Sequence, residues 1–241
     1  MKSGININLL AYNEEDNLRN LIPEVIAAAD KCGVEYDIKV IDTEKPLDNT
    51  EGLCKQYGVR YINQEEPKFG GAFRTAVKYA DREFFLILDG DGAHPPQQIP
   101  EMFALFIKGK YDIVIGSRYV NGGGTNDKVL SQVMSHMLNF AFRIVLGIKA
   151  RDLSTNFRIY HTEALKKVTT ISVNYDVLEE VLLLLKQEKK PRRLKIGEVP
   201  IVLRKREFGE SKRELVTFII SYIKTLFRLL MIRVRGKDRV R

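Results

Sequence analysis

Cysteine is scarce in this 241-residue chain: only Cys32 and Cys54 occur, and their spacing matches neither a metal site nor a disulfide framework. The first ten residues, MKSGININLL, lack the apolar core of a secretory signal peptide. We therefore expect a protein of a reducing, cytoplasmic compartment. Histidine is equally scarce, and the three that occur are too scattered to suggest a metal site, at positions 94, 136 and 161.

Two nucleotide-binding signatures are also missing. The chain contains no GxxxxGK segment and no strand-borne GxGxxG segment, so a P-loop or a dinucleotide-binding Rossmann domain lacks its residues. No internal repeat or low-complexity stretch occurs. The hydrophobic content of 44% is sufficient for a core, and the length fits one large domain or one domain with an appendage.

The formal net charge of +8 is concentrated at one end of the chain. The segment 204–241 contains twelve Lys and Arg residues against four Asp and Glu residues, so the remainder is neutral. A basic tail suggests nucleic acid or an anionic membrane surface. Nucleic acid is not favoured, because aromatic residues are poorly interleaved with the basic ones.

Strand and helix patterns alternate strictly in the first half of the chain. Strands are predicted at 5–11, 36–42, 59–63, 84–89 and 111–117, and helices at 14–32, 49–57, 70–80 and 96–109. This alternation predicts an α/β fold with a mostly parallel, doubly wound sheet and helices on both faces. The second half predicts helices at 127–147, 175–187 and 214–232, extended segments at 154–160 and 192–206, and a flexible GGG loop at 122–124.

The predicted C-terminal helix is amphipathic. Between Leu215 and Ile232 its polar residues form one stripe roughly 100° wide, namely Thr217, Ser221, Lys224, Thr225 and Arg228. The two basic residues argue against a membrane-spanning helix. One interpretation is a helix in the plane of a membrane, with the basic tail on anionic lipid. The alternative is a helix buried against the domain or against the partner in a homodimer.

Two carboxylates end the fourth predicted strand, in the segment DGDG. Asp89 and Asp91 point to the same face of the strand, roughly 6 to 7 Å apart if the backbone is fully extended. They can address one Mg²⁺ or Mn²⁺ ion, which accepts one or two protein carboxylates and completes its shell with phosphates and water. The alternative is a simple turn rich in Asp and Gly.

Five segments together resemble one family. LLAYNEEDNL near the N-terminus, DGDGAHPP at 89, GSRYVNGGG at 116, RDLSTNFRIY at 151 and GEVPIVLRKREFGESK at 197 are similar to the dolichyl-phosphate mannose synthase branch of the inverting GT-A glycosyltransferases, in glycosyltransferase family 2. The resemblance covers residues 5–212. It implies a GT-A domain at 1–212 and an appended membrane-interface helix with a basic tail at 213–241.

The activity implied by this resemblance is transfer of a hexose from a nucleoside diphosphate sugar, of the GDP-mannose or UDP-glucose type, to dolichyl or undecaprenyl phosphate. The implied location is the cytoplasmic face of a membrane. The resemblance assigns Asp89 and Asp91 to the metal, Asp91, Arg118 and Arg206 to catalysis, and Arg118, Ser135, Arg206 and Lys212 to the acceptor phosphate. It assigns donor binding to Ala11, Tyr12, Asn13, Glu14, Asp42, Gly70, Asp89, Gly90 and Asp91. Asn13 and Glu14 fit a helix cap equally well.

A phosphate acceptor simplifies the chemistry. Its second pKa lies near 6, so the dianion can attack without the general base that a hydroxyl acceptor requires. The chain has no tryptophan and therefore lacks the QxxRW element of many polysaccharide-forming relatives. It also departs from the family at Leu10, Thr43, Ala93 and Asn156; Ala93 replaces a polar residue, commonly a glutamine, that assists the metal. Three alternatives to this activity therefore stay open: a catalytically silent relative, a transferase with another acceptor, and a nucleotidyltransferase.

Overall fold

The computed structural model describes residues 1–126, 129–205 and 215–235, with the backbone alone described for 129–131, 215–222 and 235. Its strands are β1 (Lys2–Leu10), β2 (Tyr36–Asp42), β3 (Arg60–Asn63), β4 (Arg82–Asp89), β5 (Ile113–Ser117), β6 (Gly124–Thr125), β7 (Arg158–His161), β8 (Ile196–Pro200) and β9 (Val202–Leu203). Its α-helices are α1 (Glu15–Asp30), α2 (Thr50–Tyr57), α3 (Lys68–Lys78), α4 (Ile99–Gly109), α5 (Val129–Leu146), α6 (Thr162–Lys166), α7 (Val177–Glu188) and α8 (Leu215–Arg235).

Seven strands form the main sheet, in the order β3-β2-β1-β4-β7-β5-β8. All neighbours are parallel except β7, which runs antiparallel to both β4 and β5. The predicted α/β class, with a mostly parallel sheet between helices, is confirmed. Because strand order reverses beside β1, the carboxyl ends of β1 and β4 border the crevice in which such sheets bind ligands.

Each face of the sheet has its own hydrophobic core, as the alternation along β4 illustrates. Phe84, Leu86 and Leu88 belong to the cluster that includes α1 and α4. Phe85 and Ile87, on the opposite face, belong to the cluster that includes α3, α5 and α7. A strand with large apolar residues on both faces must be covered on both sides, which holds its carboxyl end, Asp89, in a fixed place.

The GGG segment at 122–124 was predicted to be a flexible loop, and this expectation is wrong at its end. Gly124 and Thr125 form β6, which pairs in parallel with Val202 and Leu203 of β9. The pairing joins positions almost 80 residues apart in the chain, and no local pattern of glycines can indicate it.

Helix α8 packs against the domain. Leu229 and Ile232 are buried in the same cluster as α5 and α7. Two members of the predicted polar stripe also face inward: Thr225 Oγ1 donates to Asp176 Oδ2 at 3.0 Å, and Arg228 Nη2 donates to the same oxygen at 2.9 Å. The alternative of burial against the domain is therefore correct for this face. The division of the chain at residue 212 stays a prediction.

Candidate functional site

The first and fourth strands bring two predicted segments together at the crevice. The Gly90 N–H donates to the Leu10 carbonyl at 2.8 Å, and the Ala11 N–H donates to the Ile41 carbonyl at 2.9 Å. A Cβ on residue 90 would lie 2.9 Å from the Leu10 carbonyl oxygen, so glycine allows this close approach. The segment that begins at Ala11, which is predicted to bind the nucleotide-sugar donor, therefore lies beside Asp89 and Asp91 at the end of β4.

The carboxylates of that acidic end have defined neighbours. Asp89 Oδ1 accepts a bond of 3.0 Å from Asn156 Nδ2, and the Asp89 N–H donates to His94 Nδ1 at 3.2 Å. Asp91 is only 6% exposed, and its Oδ1 accepts a hydrogen bond of 3.0 Å from the Ala93 N–H. His94 is buried, and its imidazole contacts the backbone at this end of β4.

The carboxylate oxygens of Asp89 and Asp91 are suitable ligands for a hard divalent cation. Within the described ranges, no group of three or more His, Cys, Asp or Glu side chains is arranged to hold a metal. Mg²⁺ commonly takes only one or two protein carboxylates and obtains its remaining ligands from phosphates and water, so the pair Asp89 and Asp91 is sufficient. Ala93 adds no side-chain oxygen, which leaves the two aspartates as the carboxylates of the site.

The segment after β1 is open to solvent. Tyr12 is 59% exposed, and Asn13 has a φ of 58°, a conformation that asparagine tolerates better than most residues. Glu14 is the N-cap residue of α1 and an acidic first turn follows it, as the alternative expects, but its side chain makes no capping hydrogen bond. The cap comes instead from Asp48, whose Oδ2 accepts a bond of 2.9 Å from the Glu15 N–H. The segment 12–14, in which Tyr12 and Asn13 are exposed and Glu14 is half-buried, remains the predicted contact for the sugar donor.

Asp42 and Gly70 are less accessible than the sequence suggested. Asp42 is fully buried, and its oxygens accept bonds from the Tyr61 hydroxyl at 2.9 Å and the Thr43 N–H at 2.7 Å. Burial raises the pKa of Asp42 in spite of these bonds. This conformation offers no Asp42 surface to a nucleoside, so its donor role stays a prediction.

The close approach that Gly70 permits is made to the protein itself. Its N–H donates to the Val173 carbonyl at 2.9 Å, and a Cβ at this position would lie 2.1 Å from the Ser172 carbonyl oxygen. Gly70 is buried in α3. The structural reason for glycine here is therefore the close packing of α3 against the backbone of Ser172 and Val173, and the donor-binding role of Gly70 stays a prediction.

Arg118 leaves the carboxyl end of β5 and forms a bidentate ion pair. Its Nε and Nη2 donate to Asp152 at 2.7 and 2.8 Å, and Nη2 also donates to Ser154 Oγ at 2.8 Å. Burial opposes ionisation of Asp152, but the bonds from Arg118 outweigh it and keep the pKa of that carboxyl below its usual value. Arg118 thus lies at the carboxyl-end edge of the sheet, as predicted, and Asp152 balances part of its charge.

A pocket of about 420 Å³ lies beside α5, lined by Tyr119, His136, Met137, Asn139, Phe140, Arg143 and Arg151. The predicted acceptor residue Ser135 borders it, because its hydroxyl bonds to the Tyr119 hydroxyl at 2.6 Å. The Nε atom of Arg143 is buried and has no hydrogen-bond partner in the part of the chain that the structure describes. The pocket thus combines two cations with apolar walls. The other predicted phosphate ligands, Arg206 and Lys212, lie outside the described residues.

Sequence comparison identifies related proteins. The family model described as Glycosyl transferase family 2 matches residues 7–169. A Dolichol-phosphate mannosyltransferase of Pyrococcus furiosus is 30% identical over 234 residues, which are 94% of this chain and 63% of that protein. This chain therefore spans less than two thirds of that relative. A Polyprenol monophosphomannose synthase of Mycolicibacterium smegmatis is 26% identical over 219 residues, 83% of this chain and 77% of that protein.

Solved structures resemble the whole chain. The glucosyl-3-phosphoglycerate synthase of Mycobacterium tuberculosis in complex with Mg²⁺ and uridine diphosphate superposes with a TM-score of 0.72 at 17% identity, covering 98% of this chain and 81% of that one. Its complex with Mn²⁺, UDP-glucose and phosphoglyceric acid gives a TM-score of 0.69 at 18% identity, covering 96% and 79%. At this identity the likeness establishes the fold alone.

Proposed function

Because the chain belongs to glycosyl transferase family 2, we propose that it transfers a hexose from a nucleoside diphosphate sugar to a polyprenyl phosphate. The named relatives that act on dolichyl and polyprenyl phosphates support this acceptor. The observation that carries the proposal is the pocket beside α5, which combines Arg143 and Arg151 with exposed Met137 and Phe140. A phosphate joined to an apolar chain requires this combination of cations and apolar surface.

The donor would bind at the crevice between β1 and β4. The segment 12–14 is the proposed contact for the nucleoside, and Asp89 and Asp91 are the residues that would hold Mg²⁺ or Mn²⁺. When bound, such a cation stabilises the negative charge of the departing diphosphate. Neighbours of the same fold that were solved with uridine diphosphate and Mg²⁺ or Mn²⁺ support this part of the proposal.

The transfer step needs no general base. An oxygen of the acceptor phosphate forms a bond to the anomeric carbon while the bond from that carbon to the diphosphate oxygen breaks, and the electron pair leaves with the nucleoside diphosphate. Arg143 and Arg151 on the acceptor side reduce the repulsion between the two anions, with Arg118 and Arg206 as further proposed contacts. Catalysis would then come from positioning and charge stabilisation.

The direct test measures radiolabelled sugar transfer from GDP-mannose and from UDP-glucose to undecaprenyl or dolichyl phosphate in detergent micelles with Mn²⁺. We expect transfer from one donor, and a loss on the order of 100-fold in Asp91→Ala. Glu163→Ala, which removes an exposed carboxylate of α6, is the matched control and should keep full activity. Donor binding without transfer to any lipid phosphate would support the catalytically silent alternative.

We also propose that a membrane surface is the partner of α5 and α8. These helices pack together, and each leaves a row of exposed apolar side chains, which are Val133, Met137, Phe140 and Ile144 on α5 and Ile223, Phe227, Leu230 and Val234 on α8. None of the helices in the described part of the chain is long and apolar enough to cross a membrane. Such rows suit contact with the interfacial region of a bilayer.

Flotation of the full chain with vesicles tests this partner. Wild type should float with vesicles that contain anionic lipid, and the double variant Phe140→Asp, Phe227→Asp should remain in the dense fraction because it places charge in the apolar rows. Ile107→Asp, at an exposed apolar residue of α4, is the control and should float normally. Equal flotation of all three proteins would contradict the proposal, and sedimentation as a dimer without flotation would favour a homodimer.

A further inference from the structure

Asn156 lies in the segment 147–157 that connects α5 to β7, and it is only 2% exposed. Its Nδ2 donates a hydrogen bond of 3.0 Å to Oδ1 of Asp89, a residue 67 positions earlier in the chain. The backbone N–H of Asp89 is bound separately by His94 Nδ1 at 3.2 Å. The carboxylate and the backbone of Asp89 are therefore fixed by two different residues.

The amide oxygen of Asn156 is unusual in its hydrogen bonding. Its Oδ1 is buried and has no hydrogen-bond partner within the described ranges. An unsatisfied buried amide oxygen destabilises the folded state, and such groups in folded proteins call for an explanation. The reverse orientation would place Oδ1 against the Asp89 carboxylate, which would be repulsive. The only polar interaction that this side chain makes among the described residues is thus the one with Asp89.

Hydrogen bonds from Arg158 hold the segment that carries Asn156 in place. Arg158 is fully buried, and its guanidinium donates to the carbonyl oxygens of Leu153 and Thr155 at 2.5 and 2.7 Å. Thr155 Oγ1 in turn lies 3.3 Å from His94 Nε2, so the segment also supports the imidazole that binds the Asp89 N–H. Side chains that orient a ligand to a metal act only when their own positions are fixed in this way.

We propose that Asn156 is a positioning residue that orients the Asp89 carboxylate toward the divalent cation. The inference rests on the proposed donor site, because it assumes a cation between Asp89 and Asp91. The absence of a side-chain oxygen at Ala93 strengthens the argument, since the cation then depends more on the two aspartates. A carboxylate whose rotation is restrained by the bond from Asn156 loses less conformational freedom when it binds the cation.

The test measures Mn²⁺ affinity without turnover, from the electron paramagnetic resonance signal of free Mn²⁺ in the presence of UDP or GDP. Asn156→Ala should raise the Mn²⁺ Kd about 10-fold, the lower end of the range for residues that support a metal ligand. Asn8→Ala is the matched control. Asn8 is also fully buried, also leaves Oδ1 unpartnered among the described residues, and bonds to the Leu86 carbonyl at 2.9 Å.

Asn8→Ala should lose comparable stability and keep the wild-type Mn²⁺ Kd, so the comparison separates positioning from a general loss of packing. Asn156→Ser, whose hydroxyl is too short to reach Asp89, is a second variant that keeps a polar group and should also weaken Mn²⁺ binding. A wild-type Kd in both Asn156 variants would overturn the inference while leaving the donor site intact. Failure of the wild type to bind Mn²⁺ with either nucleotide would overturn both.

Discussion

Replacing Glu179 with glutamine is expected to flatten the dependence of stability on pH. Glu179 lies in α7, is fully buried, and neither carboxylate oxygen has a hydrogen-bond partner in the part of the chain that the structure describes. Burial raises the pKa of this carboxyl to about 8, although the nearby Arg158 charge opposes the effect. Glutamine has nearly the same shape and is neutral at every pH, as the protonated carboxyl is.

The sign and size follow from the two pKa values. The folded-state pKa of about 8 lies above the ordinary glutamate value of 4.5, so the folded protein binds the proton more tightly and the resulting stability is fully present below pH 4.5. It is lost as the pH rises toward 8. Each pH unit within this window changes the free energy of unfolding by about 1.4 kcal/mol, which gives a loss of about 3 kcal/mol between pH 5.5 and pH 8.

The assay is urea denaturation of wild type and Glu179→Gln, followed by circular dichroism at pH 5.5 and pH 8. The difference in unfolding free energy between the two proteins should change by about 3 kcal/mol between these conditions, in favour of the variant at pH 8. Other titrating groups affect both proteins equally and cancel in this comparison. A difference that is the same at both pH values would refute the assignment of a strongly raised pKa to Glu179.

Two further predictions concern stability at the site. Asp152→Asn should cost about 3–5 kcal/mol in urea denaturation, because it leaves the Arg118 guanidinium, whose side chain is 11% exposed, without its ionic partner. A cost under about 1 kcal/mol would mean that the pair resembles a surface ion pair. Gly70→Ala should cost about 1–3 kcal/mol through overpacking against the Ser172 carbonyl. Gly124→Ala, whose Cβ would meet only Val202 at 4.0 Å among the described residues, should change stability little, and equal costs for the two variants would contradict the packing argument.

Much of the sheet could be predicted from periodicity. The segment 36–42 was predicted as a strand and forms β2 over the same residues, because Ile38 and Val40 alternate with polar residues at the period of two that a strand produces. The five-residue helix α6 was missed, since one helical turn is too short to establish a period. The pairing of β6 with β9 was missed because its partners are far apart in sequence.

In the candidate site, too, local sequence patterns predict the residues that lie close together in the chain but not their distant partners. Asp89 and Asp91 were found because they follow a strand directly and lie one residue apart, which is local information. The partners that hold the site are distant: Asp152 lies 34 positions from Arg118, and Asn156 lies 67 positions from Asp89. No spacing rule connects such residues, although Asn156 was one of the positions at which the sequence departs from the pattern of the family that it resembles.

The proposed activity requires that the end of β4 hold a divalent cation together with the donor diphosphate. The most direct measurement is anomalous diffraction from crystals soaked with Mn²⁺ and the nucleoside diphosphate that the transfer assay selects. The account predicts one strong Mn²⁺ peak about 2.1 Å from a carboxylate oxygen of Asp89 or Asp91 and within the same distance of diphosphate oxygens. A nucleotide bound without a peak there, or with the peak at another place in the molecule, would contradict it.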